Sequence, residues 1–223
     1  MFPRSPWLLV VLLSLLLPVS ARSEAGRFDP RTIVFIGSSS IEFWKTLPQD
    51  FAVHQVLNLG KAGTTYSHLV ANVGAWAARY PAHRYVIYSG DNDIAWMRSP
   101  EKVAGQFREV ALTLRSAIPG VQVFVISIKP NLIPTRRVRI GAVRKANAMI
   151  AAEAAALGQV TFVDTHTHML GPNGQPRAEW FSIDGIHMNE KGYRLWRDVL
   201  LPQLEPPVAP QSPMLLVARP FEP

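Results

Sequence analysis

The run Ile33-Val34-Phe35-Ile36-Gly37-Ser38-Ser39-Ser40-Ile41 constrains this chain more than any other stretch. An apolar, mostly β-branched segment stops at a glycine, and three serines follow before a helix-compatible segment begins. A short, continuously apolar run reads as a strand buried on both faces, the kind found in parallel sheets. Open α/β folds gather their ligands at the carboxyl ends of such strands. A serine placed there, at the start of a helix, sits among free backbone N–H groups that favour a developing negative charge. A Ser-rich turn that only caps a helix explains the stretch equally well, so the choice rests on what lies downstream.

Strand-like runs are predicted at 32–36, 53–59, 84–89, 121–128 and 160–164. Helix-like stretches at 67–80, 100–118 and 137–157 alternate with them, and a last helix is predicted at 190–204. In the 100–118 stretch Val103, Phe107, Val110, Leu114 and Ile118 form one apolar stripe, with Pro100 at its start. In the last helix Tyr193, Trp196 and Leu200 are the inward face. Such alternation implies a mostly parallel sheet covered by helices on both faces. The length of 223 residues and the lack of a long linker argue for a single domain.

Met1 to Pro6 carry one positive charge, Trp7 to Leu17 are apolar, and Pro18-Val19-Ser20-Ala21 follow. That is the plan of a secretory signal peptide over residues 1–25, with cleavage after Ala21 or Ala25. The apolar run is shorter than the roughly 17–25 residues of a spanning helix, so no stable membrane insertion is expected after cleavage. The domain then occupies residues 26–205, and residues 206–223 form a Pro-rich tail read as extended or disordered. The protein is therefore expected to be secreted or periplasmic in a bacterium. The formal net charge is +7, yet Lys and Arg are scattered, which argues against a nucleic-acid partner. No cysteine is present, which excludes disulfides and thiolate metal sites.

Three further loops follow predicted strands or precede the last helix. They are Asn58-Leu59-Gly60-Lys61-Ala62-Gly63-Thr64-Thr65, Gly90-Asp91-Asn92-Asp93-Ile94, and Phe181-Ser182-Ile183-Asp184-Gly185-Ile186-His187-Met188-Asn189. A doubly wound sheet would collect all of them on one edge. Together they hold a serine, a backbone-donating glycine, a side-chain amide and an Asp-x-x-His pair. Those are the parts acyl transfer requires: nucleophile, oxyanion donors, base and orienting acid.

These blocks resemble the SGNH hydrolase superfamily, the GDSL-type esterases and lipases. Gly37-Ser38-Ser39-Ser40-Ile41 is similar to its first block and Gly63 to its second. Gly90-Asp91-Asn92-Asp93 is similar to the Gly-x-Asn-Asp third, and Asp184-x-x-His187 to the last. The resemblance runs from about Thr32 to Leu204. One departure is plain: Ser38 stands where the family usually has Asp before the nucleophile. The resemblance implies a flavodoxin-like three-layer α/β/α sandwich with a five-stranded, mostly parallel sheet.

Ser39 is the expected nucleophile, because it falls second after Gly37 at the strand-to-helix turn; Ser38 and Ser40 read as capping or packing residues. His187 is the expected general base, and Asp184 its orienting acid. The oxyanion is expected to meet the backbone N–H groups of Ser39 and Gly63 and the side-chain amide of Asn92. An α/β-hydrolase fits poorly, since Ile41 replaces the second glycine of Gly-x-Ser-x-Gly. The expected activity is a serine esterase with no metal and no organic cofactor. Its substrates would be short acyl, carbohydrate O-acetyl or small lipid esters. A thioesterase or peptidase with the same triad, or a non-catalytic binding protein on this fold, is the alternative.

Other chemistry-bearing residues have plainer readings. Asp164-Thr165-His166-Thr167-His168 has metal-like His-x-His spacing but lacks further clustered ligands, so it reads as a loop. His54, His68 and His83 read as surface or cap residues. Trp44 and Trp96 flank the site blocks, either as aromatic packing or as walls of a pocket. Lys129 and Arg136 border the 129–135 loop and fit either an anionic substrate or a solvated loop.

Overall fold

The computed structural model describes residues 31–137 and 139–204. The leader expected at 1–25 and the Pro-rich tail expected at 206–223 lie outside the described residues. The chain runs β1 (Thr32–Gly37), α1 (Ser39–Glu42), α2 (Leu47–Asp50), β2 (Gln55–Gly60) and α3 (Tyr66–Arg79). It continues with β3 (Arg84–Tyr88), α4 (Asp91–Ala95), α5 (Pro100–Ala117), β4 (Gln122–Ile126) and α6 (Pro134–Arg137). Then come α7 (Ile140–Leu157), β5 (Val160–Val163), two 3-10 turns and α8 (Glu190–Leu204).

Every strand pairing is parallel, in the order β2-β1-β3-β4-β5. Side chains alternate across a strand, and in β1, β3 and β4 both faces are buried. Val34, Ile36, Tyr85, Ile87, Val123 and Val125 turn to one face, where α3, α5 and α7 cover them. Ile33, Phe35, Val86, Tyr88, Phe124 and Ile126 turn to the other, under Trp44, Leu47 and the Tyr193, Trp196 and Leu200 face of α8. The three-layer α/β/α sandwich with a five-stranded parallel sheet is thus the fold expected from the sequence. No described helix is long and apolar enough to cross a membrane.

Differences from the expected elements are local. The run at 53–59 enters its strand only at Gln55, because Val53 lies in the turn after α2. The stretch at 137–157 divides: α6 ends at Arg137, and the Arg139 N–H closes a turn on the Arg136 carbonyl (3.0 Å) before α7 begins. Short helices α1, α2 and α4 span only four or five residues each, too few to show a helical period.

The sheet positions the site through its connectivity. After β1 the chain goes to β2 on one side, then crosses to β3 on the other. The crevice between the carboxyl ends of β1 and β3 is therefore the topological switch point of a doubly wound sheet. Backbones come very close there. A Cβ on Gly37, which has φ +153°, would lie 2.0 Å from the Tyr88 carbonyl oxygen. Gly37→Ala is expected to destabilise the fold by about 3 kcal/mol or more, since strain and overlap add. Gly105, exposed inside α5 with open space where a Cβ would project, is the control. Gly105→Ala should stabilise by about 0.5–1 kcal/mol. Urea midpoints of the two variants against wild type check the contrast.

Candidate active site

Ser39 is the first residue of α1, directly beyond the end of β1. Ser38 precedes it in extended conformation, its N–H bonded to the Tyr88 carbonyl (3.1 Å) and its carbonyl accepting from Ile41 and Glu42. The Ser39 turn is therefore tied to β3 on one side and to its own helix on the other. Ser39 keeps 7% of its surface exposed, whereas Ser38 and Ser40 are wholly buried. That burial agrees with reading those two as packing residues.

Asp184 and His187 lie on the loop before α8. The Asp184 carboxylate accepts the N–H groups of Ile186 and His187, both at 2.9 Å, which folds the loop around it as an Asx-type turn. The same carboxylate meets His187 Nδ1 at 2.5 Å, and His187 Nε2 meets Ser39 Oγ at 3.1 Å. With Nδ1–H donating to the carboxylate, Nε2 is left able to accept the serine proton. Partial burial works to raise the Asp184 pKa. The bonds from the His187 ring and the two N–H groups outweigh it, and the carboxyl titrates below its ordinary value. The Phe43 ring stands edge-on to the imidazole at 5.1 Å, a contact the sequence pattern did not suggest.

Gly63 has φ +75°, the left-handed region, and a Cβ there would meet nothing, so backbone conformation is what selects glycine. The turn holding it is pinned by Ala62 N–H, which donates to Glu42 Oε2 at 2.7 Å. Asn92 Nδ2 donates to the Thr64 carbonyl at 3.0 Å, which sets the amide beside the Gly63 turn. An NH₂ carries two donors, so a second remains for a ligand. The N–H groups of Ser39 and Gly63 have no acceptor among the described residues. The structure thus gathers Ser39, Gly63, Asn92, Asp184 and His187 at one sheet edge. A hydroxyl, an imidazole and a carboxylate in line, with three nearby donors, can activate an oxygen nucleophile and hold an oxyanion.

Asp93 braces this edge. Its Oδ2 accepts the Tyr66 N–H (3.1 Å) at the first turn of α3, where the helix dipole favours a negative charge, and its Oδ1 meets Arg98 (3.1 Å). Asp91 takes a different partner. Its Oδ2 meets Lys129 Nζ at 3.1 Å, its Oδ1 accepts the Asn92 N–H at 3.0 Å, and Ser38 Oγ lies 3.5 Å from Oδ1. Burial pushes the Asp91 pKa up, but the Lys129 charge, its hydrogen bond and the Asn92 N–H win, and the group ionises below its usual range.

Lys129 is therefore not a solvated loop residue. It is 2% exposed, follows the buried end of β4, and neutralises a carboxylate directly beneath the site. A lysine immediately after the mostly apolar run 121–128 was the available signal, since a charge drawn into the core needs a partner. Trp44 does not wall a pocket either: it is buried, stacked on Tyr193 at 5.3 Å and edge-on to Phe35 and Trp196. Trp96 is 58% exposed. His166 is buried with Nδ1 against the Ile128 carbonyl (2.9 Å), while Asp164 Oδ1 accepts the Thr167 N–H. Among the described residues no group of three or more potential ligands gathers as a metal site. His68 packs against Trp76, and His83 is exposed.

A sequence profile of the GDSL-like Lipase/Acylhydrolase family matches residues 28–195. The chain belongs to that family. It is a hydrolase acting on esters. Solved structures with the same fold include a Streptococcus pneumonia protein described as a candidate platelet activating factor (21% identity, TM-score 0.69). The alignment covers 78% of this chain and 83% of that one. A GDSL-like lipase from Bacteroides thetaiotaomicron matches at 21% identity and TM-score 0.66, over 78% and 87% of the two chains. The family 3 carbohydrate esterase of Clostridium thermocellum matches at 19% and 0.61, over 77% and 93%. No curated protein matches the chain by sequence.

Lys129→Met should expose the cost of the buried pair. Removing one partner of a buried ion pair destabilises by about 3–5 kcal/mol, because the remaining charge is left uncompensated. Asp91 has a lowered folded pKa, so the pair's contribution is present above the unfolded carboxylate pKa and lost as pH falls through the folded one. Denaturant midpoints of wild type and Lys129→Met should differ most at neutral pH and converge in acid. A pH-independent difference would assign the loss to packing alone.

Proposed function

We propose that this protein is an exported serine esterase of small acyl esters, working through Ser39, His187 and Asp184. The observation that carries the reading is the line Ser39 Oγ to His187 Nε2 (3.1 Å) and His187 Nδ1 to Asp184 Oδ2 (2.5 Å). It joins residues 148 positions apart in sequence. Ser39 Oγ attacks the ester carbonyl while His187 Nε2 takes its proton. The negative oxygen of the tetrahedral intermediate accepts from the Ser39 and Gly63 N–H groups and the free N–H of Asn92. His187 returns the proton to the departing alkoxide, leaving an acyl-serine. Water, activated by the same imidazole, then releases the acid. Asp184 stays ionised and holds the ring with Nε2 facing the serine.

Short acyl groups suit a chain with no long insertion between its site blocks to form a lid. Carbohydrate O-acetyl and small lipid esters are the substrate classes in view. Similarity to a carbohydrate esterase and to a GDSL-like lipase supports keeping both. Export rests on the composition of residues 1–25.

A fluorophosphonate probe should add one adduct to the wild-type protein, read by intact mass, and none to Ser39→Ala. Ester hydrolysis should fall by about 10⁴-fold or more in that variant. If labelling moves to Ser38 or Ser40, or activity persists, the assignment is wrong. Asn92→Ala should lower kcat by about 10²–10³-fold with KM little changed, because its donor strengthens only as charge develops. Circular dichroism must first show the variant folded, since its amide also bonds Thr64. A folded variant with kcat within a few-fold of wild type would remove Asn92 from the oxyanion hole.

A further inference from the structure

From Lys129 to Ala152 the chain carries six Lys and Arg and not one Asp or Glu. Three of these cations have partners: Lys129 has Asp91, Lys145 has Glu101, and Arg144 donates to the Gly174 carbonyl. Arg136 and Arg139 are half-buried and meet no carboxylate among the described residues. Both line one narrow cleft with Asn131, Lys129 and Asp91, closed by the apolar side chains of Ile94, Val143 and Ile186. Three cations face one carboxylate there, so the cleft holds a surplus of two positive charges.

Its position ties it to the site. Asp91 is the residue before Asn92, and Ile186 is the residue before His187. The Leu132 N–H donates to the Gly185 carbonyl at 2.8 Å, joining the loop after β4 to the loop that carries Asp184 and His187. Apolar walls strengthen any charge interaction made between them. Guanidinium forks match the two or three oxygens of a carboxylate or phosphate. The cleft itself has room for little more than a water molecule, so an anionic group would reach the two guanidinium groups only from its mouth.

We propose that the ester this site takes carries an anionic group, a carboxylate or a phosphate monoester, which Arg136 and Arg139 bind at the mouth of this cleft. The inference rests on the esterase reading of the same site. It selects among small esters rather than altering the chemistry.

Three acetate esters of similar size test it: phenyl acetate, 3-acetoxybenzoate and 3-acetoxyphenyl phosphate. The two anionic arms separate carboxylate from phosphate as the source of the charge. Wild type should turn over at least one anionic ester with kcat/KM about tenfold or more above phenyl acetate, the worth of a charged hydrogen bond. Arg136→Gln and Arg139→Gln should raise KM for that ester about tenfold while leaving phenyl acetate within about twofold, and added salt should erode the preference. Arg→Lys at the same positions should restore part of it, by returning the charge without the fork. Equal losses on neutral and anionic esters, or no preference in wild type, would overturn the proposal. Calorimetric titration of Ser39→Ala with the two anionic esters reads binding without turnover. Arginine-dependent binding with no hydrolysis by wild type would sink the esterase reading and leave the anion site standing. Hydrolysis of phenyl acetate, with no anion binding by Ser39→Ala, would do the reverse.

Discussion

The contact on which the rest depends is the crossing of backbones at the carboxyl ends of β1 and β3. Gly37 lies against the Tyr88 carbonyl so closely that no side chain fits, and the Ser38 N–H uses that carbonyl as its acceptor. This one approach turns the chain sharply off β1 and aims the first residue of α1 out of the sheet edge. It also joins the turn that carries Ser39 to the strand that delivers Asn92 four residues after Tyr88. Ser39 and Asn92 are therefore placed by the register of two adjacent central strands, not by long loops.

Beneath the site lies a polar layer that the apolar sheet would not tolerate unpaired. Asp91 and Asp93 flank Asn92 in sequence yet serve different neighbours: one neutralises Lys129, the other fills the start of α3 and holds Arg98. Each carboxylate accepts at least two donors, which offset part of the cost of burying its charge. Asn92 sits between two fixed points and is further held by Thr64. A donor fixed in advance loses nothing to reorganisation when a negative oxygen forms beside it.

Much of the fold was legible because parallel strands buried on both faces read as continuous apolar runs, and the long helices show clean stripes. The Val103, Phe107, Val110, Leu114 and Ile118 stripe is buried throughout. The four site blocks were legible because each follows a strand or precedes a helix in a fixed order. Short α1, α2 and α4 were not, since four or five residues carry no period. Nor was the Asp91–Lys129 pair, which joins residues 38 apart through space. Lys129 looked like loop chemistry because sequence shows its charge but not the strand end that buries it. Ser38 looked like a local defect of the first block. In the structure its hydroxyl faces Asp91 at 3.5 Å, so a carboxylate still stands beside the Ser39 turn, supplied by the third block instead of the first.

The imidazole is held differently from the serine. Ser39 is set by two buried strands, whereas His187 rides a loop whose Asp184 is 43% exposed in its side chain and whose Ile183 is fully exposed. That loop is fastened at its ends: Ser182 N–H bonds the His187 carbonyl, Asn189 Nδ2 bonds the Glu179 and Phe181 carbonyls, and Gly185 accepts from Leu132. Backbone bonds of this sort fix where the loop is, and the Asp184 carboxylate fixes how the ring is turned. The side chains of His187 and Asp184 are 31% and 43% exposed whereas Ser39 is buried, so the loop is the less enclosed part of the site. In the proposed mechanism a less enclosed ring is useful, because the imidazole would serve the serine proton, the leaving alkoxide and then a water from one position. On that reading, fixed donors at Ser39, Gly63 and Asn92 beside a less enclosed His187 would divide the work accordingly: charge stabilisation needs fixed donors, while proton transfer needs a donor–acceptor distance that can close when substrate arrives.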